Sequence, residues 1–135
     1  MSEAAENGLD LSGDWTGVFN YPRDQPPASF TARLSEQAGW ISGAIEEQSW
    51  KGLGPVRRLG ATIQGRRIGF SVTWLKLYDD LDGFHDAVQY EGAVAQGGEE
   101  ISGRWSIFGN WSGTFLMVRN LRTSARRERR ATARP

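Results

Sequence analysis

Among the side chains of this sequence that can do chemistry, Glu47 and Lys76 stand apart because they keep step with apolar neighbours. In "ISGAIEEQ", Glu47 falls at the same alternate spacing as Gly43 and Ile45, while Glu46 falls between them. In "SVTWLKLY", Lys76 follows Val72 and Trp74 in the same way. Successive strand residues point to opposite faces, so this spacing aims both charges at an aromatic face. A carboxylate there needs a cation or hydrogen-bond donors, and Lys76 can supply the cation. Two arrangements are open: a polar anchor inside an aromatic pocket, or two charges at a barrel mouth in water. A one-residue bulge would exchange Glu46 for Glu47.

The rest of the reactive inventory is thin. There is no cysteine, which excludes a disulfide framework, a thiolate nucleophile and a zinc-cysteine site. The single histidine, His85, sits in "DDLDGFHD" with Asp79, Asp80, Asp82 and Asp86 around Gly83. That stretch lacks the full pattern of a calcium loop and reads as a solvated acidic hairpin loop. One histidine on a loop also argues against a multi-histidine metal site or haem ligation. No Ser-His-acid set, nucleophile elbow or phosphate-binding glycine loop can be placed. The expectation is no metal, no cofactor and no catalytic residue, with Glu47 as acid or base the one enzymatic option.

A chain of 135 residues fits one domain with a core of its own. The acidic, polar start shows no signal-peptide pattern, and no run is apolar enough to span a bilayer. A cytoplasmic protein with no membrane partner is the expectation. Net charge is zero, but residues 122–135 hold six arginines and one glutamate, leaving the remainder acidic. This tail has no large apolar residue and is expected to be disordered. A solubilising end, or one that lies against the acidic body, is favoured over nucleic-acid binding. The pairs Arg57–Arg58 and Arg66–Arg67 likewise read as surface solvation. The organisation expected is a disordered N-terminus at 1–10, a β domain at 11–121 and the arginine-rich tail at 122–135.

Seventeen glycines, six tryptophans and short alternating runs, with no amphipathic helical stripe, predict an all-β domain. Eight strands can be drawn, near 13–21, 28–36, 40–48, 57–64, 67–77, 86–96, 100–108 and 111–120. Gly-containing hairpin turns at 37–40, 64–67, 95–100 and 108–111 join them into a meander, with longer loops at 22–27, 49–55 and 78–86. Each strand has one strongly apolar face: Trp15, Gly17 and Phe19; Phe30, Ala32 and Leu34; Ile68, Phe70, Val72 and Trp74; Val88, Tyr90 and Val94; Ile101, Gly103, Trp105 and Ile107. An antiparallel up-and-down barrel of eight strands accommodates all of these faces and removes both sheet edges. The triplets at Leu11, Ile41, Ile101 and Trp111, each an apolar residue followed by Ser-Gly, fit this scheme. The glycine lies on the inner face beside a large residue, where a missing side chain lets the strand bend and gives the ring room.

At "SGDW" the chain resembles the calycin superfamily of lipocalins, fatty-acid-binding proteins and avidins, whose first strand carries Gly-x-Trp. The resemblance implies a basic residue from the last strand across Trp15, here Arg119 or Arg122, sealing one barrel end through a cation–π contact worth ~0.5–2 kcal/mol. The order of "LSGDWTG", "GWISGAIEEQ", "RRIGFSVTWLKLY", "QYEGAV" and "EEISGRWSI" is most similar to avidin and streptavidin, over roughly residues 11–119. That likeness implies pocket tryptophans at Trp74 and Trp105, a tryptophan at Trp111 that reaches a neighbouring subunit, and a dimer or tetramer. The polar site of that family is not matched: Gly17, Ile45, Glu47 and Lys76 stand where its polar, tyrosine, hydroxyl and aromatic residues are expected. Unpaired polar atoms in a dry pocket cost ~1–3 kcal/mol each, so high-affinity biotin binding is not expected.

The sequence thus points to non-enzymatic binding of a small, largely apolar or aromatic ligand. Phe19, Ile45, Trp74, Tyr90, Trp105 and Trp111 would wall the pocket, and Glu47 and Lys76 would orient the ligand. Outward Thr73, Leu75, Leu77, Ala93 and Leu116 are candidates for a homo-oligomer wall. Two alternatives stand beside this one: a filled barrel that serves as a structural or interaction module, and a lipocalin-like enzyme using Glu47.

Overall fold

The computed structural model describes residues 8–48, 58–79, 87–107 and 111–120. Eight antiparallel strands follow one another around a closed barrel: β1 (Gly13–Asn20), β2 (Ala28–Gln37), β3 (Trp40–Gln48), β4 (Arg58–Ile68), β5 (Ser71–Tyr78), β6 (Val88–Val94), β7 (Glu100–Ile107) and β8 (Trp111–Arg119). Closure comes from β8 pairing with β1, from Trp15 opposite Arg119 to Asn20 opposite Thr114. No helix forms among the described residues, so none there is long and apolar enough to cross a membrane.

Outside the β4–β5 hairpin, the alternation expected from sequence is the alternation observed. Trp15, Phe19, Phe30, Leu34, Ile45, Val72, Trp74, Tyr90, Ile101, Trp105, Phe115 and Met117 all face inward and are buried. Phe19 and Phe30 stack with ring centroids 4.2 Å apart, and Tyr90 meets Phe115 edge-on at 5.1 Å. At Gly113 a Cβ would collide with the Asn20 carbonyl and the Trp105 ring, so this glycine of a Ser-Gly triplet gives a tryptophan its place.

One hairpin differs from expectation. The β4–β5 turn is not at 64–67 but at Gly69–Phe70, with Ile68 opposite Ser71. Gly69 has φ 61°, and glycine at the first central position suits a two-residue type II′ turn. Gly65, which reads as a turn residue in "QGRR", instead lies within β4 where a Cβ would strike the β5 backbone at Thr73 and Trp74. The longer β4 also carries Ile68 out of the core, where it is 69% exposed.

The end of the barrel near Trp15 is sealed by a side-chain clamp. The Arg119 guanidinium lies 4.7 Å from the Trp15 ring centroid and donates to the carbonyls of Ser12 at 2.8 Å and Asp10 at 2.6 Å. Trp15 Nε1 donates to the Leu11 carbonyl at 2.9 Å, and Leu11 is wholly buried. Beside it, Arg67 pairs with Glu36 at 2.7 Å and donates to the carbonyls of Gly69 and Leu9. Glu36 in turn accepts from the Leu11 N–H, and Leu9 packs against the core. Of the two arginines proposed for this role, Arg119 fills it; Arg122 lies outside the described residues, as do the tail, His85, Asp80, Asp82, Asp86 and Arg57.

Candidate functional site

At the opposite end the inner faces bring three polar side chains together. Glu47 is the last inward residue of β3 whose side chain is described, opposite Phe30 of β2, and Glu46 faces solvent. Lys76 lies on β5, with Tyr78 two residues further along the same face. Between them β4 offers Ala61, opposite both Ile45 and Tyr78, and its single methyl leaves space for contact across that strand. Lys76 Nζ donates to Glu47 Oε2 at 2.9 Å, and the Tyr78 hydroxyl donates to Oε1 at 2.5 Å. The alternative of two hydrated charges is overturned: Lys76 is 2% exposed and Glu47 8%. Rings carried by β1, β5 and β6 together cover them, which no single-strand reading shows.

Lys76 is enclosed by aromatic faces. Its Nζ lies 4.4 Å from the Phe19 ring centroid, 4.6 Å from Tyr78 and 5.5 Å from Tyr90. Burial lowers the ammonium pKa below its ordinary value, and the opposing attraction and hydrogen bond of Glu47 only partly offset this. The chain's three tyrosines, Tyr21, Tyr78 and Tyr90, all belong to this end. Each phenol is pushed up, first by burial and then by negative charge nearby, that of Glu47 acting on all three. All three therefore remain protonated donors well into the alkaline range.

A second aromatic group adjoins the first. Trp105 meets Tyr21 at 5.5 Å and Trp111 at 5.6 Å, both edge-on, and Tyr21 stacks on Trp111 at 5.7 Å. Trp105 Nε1 donates to the Asn20 carbonyl at 3.2 Å, whereas Trp111 is 40% exposed. Trp74 stacks with Tyr90 at 5.8 Å and tilts against Phe115 at 5.9 Å. Its Nε1 is buried with no hydrogen-bond partner, which leaves a donor in the interior unanswered.

The structure thus gathers Phe19, Glu47, Lys76, Trp74, Tyr90, Trp105 and Trp111 at one end, while Ile45 lies deeper in the same wall. Tyr21 and Tyr78 were missed by the sequence reading. Continuing the alternation Trp15–Gly17–Phe19 and Val72–Trp74–Lys76 by one step finds both. Among the described residues no group of three or more metal-ligating side chains forms. A surface groove of about 550 Å³ lies at the other end, between Leu9, Asp10, Glu36, Arg67 and the adjoining turns. Its main charges are already bound to each other and to backbone carbonyls, so the chemistry resides at the tyrosine end.

Leu75 and Leu77 lie on β5 and Leu116 on β8, with Glu91 and Arg104 on the strands between. Val18, Leu116 and Val118 form a separate cluster across β1 and β8.

No family model matches the chain, and no curated protein is detectably similar to it. Among solved structures it is similar to a de novo designed fluorescence-activating β-barrel, with a TM-score of 0.60 and 15% sequence identity. The match covers 89% of this chain and all of the designed one. At that identity the likeness establishes the class, an eight-stranded antiparallel closed barrel, and leaves membership of the calycin or avidin families without support of its own.

Proposed function

We propose that this barrel binds a small, largely apolar or aromatic molecule at its tyrosine-bearing end, with the Glu47–Lys76–Tyr78 network as the polar anchor. The observation that carries this reading is a buried ion pair enclosed by rings and, among the described residues, bonded to side chains alone. Burying such a pair gives little net stability, because desolvation offsets most of the attraction. Its placement is better explained by recognition than by holding the strands, which the closed backbone ladder does already. The rim of Tyr21, Trp105 and Trp111 supplies flat apolar area, and the unpartnered Trp74 N–H can donate to an oxygen or nitrogen of a ligand. The likeness to a fluorescence-activating barrel supports testing with a fluorophore. The centre of the network is a charged pair rather than the ring of neutral partners that biotin's ureido group needs, so a ligand other than biotin is expected.

A second reading has its own support. Below the network the interior is filled by close-stacked rings, as a barrel serving only as a structural or interaction module would be. Native mass spectrometry of protein purified without refolding separates the two. A retained ligand mass, or uptake of added anilinonaphthalene sulfonate with quenching of tryptophan emission, is the expected result. A clean apo mass that takes up no fluorophore favours the filled module. The same spectrum gives the subunit count and tests the proposed homo-oligomer.

A further inference from the structure

Lysine is scarce in this chain. Its basic residues are fourteen arginines and two lysines, Lys51 and Lys76, and one of those two is the buried cation. Every other described basic residue is an arginine, including both that clamp the opposite end. The two residue types differ in one respect that matters here. A guanidinium stays charged and is a poor nucleophile, whereas a desolvated lysine amine can lose its proton and attack a carbonyl. Around Lys76 the structure assembles what that reaction needs. Glu47 Oε2, 2.9 Å away, can take the ammonium proton. The Tyr78 hydroxyl sits on the other oxygen of the same carboxylate, and three aromatic faces surround the nitrogen.

We propose that Lys76 captures an aromatic or conjugated aldehyde as a Schiff base, with Glu47 as the counter-carboxylate. This rests on the ligand-binding reading above and names the ligand's reactive group. The ammonium passes a proton to Glu47, and the freed lone pair forms the C–N bond as the carbonyl π pair moves to oxygen. That oxygen gains the second amine proton through the Glu47–Tyr78 network, giving a carbinolamine. Protonated again by Glu47, the hydroxyl leaves as water when the C=N bond forms. The product is a protonated imine beside an ionised Glu47, so the charge pair of the resting protein is restored. Burial, which lowers the ammonium pKa, favours the first step. The cage that surrounds the ammonium can equally surround a cationic imine.

The test uses the full chain at neutral pH with cinnamaldehyde and cyanoborohydride, followed by intact-mass and peptide mass spectrometry. Anilinonaphthalene sulfonate binding is measured on the same preparation. The expected result is a reduced adduct on Lys76 that accumulates at least about tenfold faster than on Lys51, and more slowly when the fluorophore is present. Lys76→Arg keeps a cation beside Glu47; with its fold checked by circular dichroism, it should form no adduct at that position. Adducts confined to Lys51 and the terminal amine, with fluorophore binding intact, overturn the covalent step while the binding site stands. Loss of both adduct and fluorophore binding overturns the step together with the reading on which it rests.

Discussion

The two ends of the barrel each bury an ion pair, and the pairs are bonded differently. At the Trp15 end, Arg67 and Glu36 hold each other and also the backbone, through the Gly69 and Leu9 carbonyls and the Leu11 N–H. Arg119 does the same with Ser12 and Asp10. These charges bond backbone groups where the chain leaves the ladder, and their removal takes that partner away. At the tyrosine end, Glu47 and Lys76 are bonded to each other, to Tyr78 and to ring faces. Among the described residues no backbone group bonds to either side chain. A charge pair that holds no backbone in place is free to hold something else.

Double replacement should separate the two ends most widely. Glu47→Gln alone leaves Lys76 uncompensated and should cost ~3–5 kcal/mol in urea unfolding. Glu47→Leu with Lys76→Met should restore stability to within about 1 kcal/mol of the parent while fluorophore binding is lost. The corresponding pair at the other end, Glu36→Leu with Arg67→Met, should stay destabilised by several times ~1 kcal/mol, because each orphaned buried backbone group carries its own penalty. Equal recovery at both ends would erase the distinction.

Arg119→Ala tests the clamp. It should cost about 1–3 kcal/mol through the lost stacking on Trp15 and the lost hydrogen bonds, with fluorophore affinity unchanged.

Alkaline titration sharpens the other side. The phenols of Tyr21, Tyr78 and Tyr90 lie above their ordinary value of 10.0 in the folded chain. The native state therefore holds protons that the unfolded state has released, and stability must fall as pH rises above about 10. Lys76, lowered from 10.5, works in the opposite direction, adding stability as pH climbs towards that value. Phenolate absorbance should consequently appear with unfolding rather than before it, and Tyr78→Phe should make the alkaline loss less steep. The smallest effect is expected at Trp111, half-exposed at the rim. Trp111→Ala should change stability by no more than about 1 kcal/mol yet weaken fluorophore binding measurably.

Much of this was legible in the sequence because strand alternation is a strict period of two. The eight strands and most of their inner faces follow from it, as does the inward aim of Glu47 so long as no bulge interrupts β3; the Trp15 contact came instead from the resemblance at "SGDW", which left Arg119 and Arg122 both open. The β4–β5 turn was not legible, because "QGRR" and "IGFS" both offer a glycine. Only the close approach of Trp74 to Gly65 decides which one turns. Nor was the burial of Glu47 and Lys76, since the rings over the pair come from β1, β5 and β6. Burial at the end of a barrel is a property of several strands at once.

The chain's six indole N–H groups offer the most direct test of the central claim, that one end seals and the other binds. Heteronuclear NMR would follow their signals as anilinonaphthalene sulfonate is added. Saturable shifts are expected at Trp74, Trp105 and Trp111, while Trp15, locked to the Leu11 carbonyl under Arg119, stays in place. Shifts centred on Trp15, or none at the three tryptophans of the tyrosine end, would contradict it.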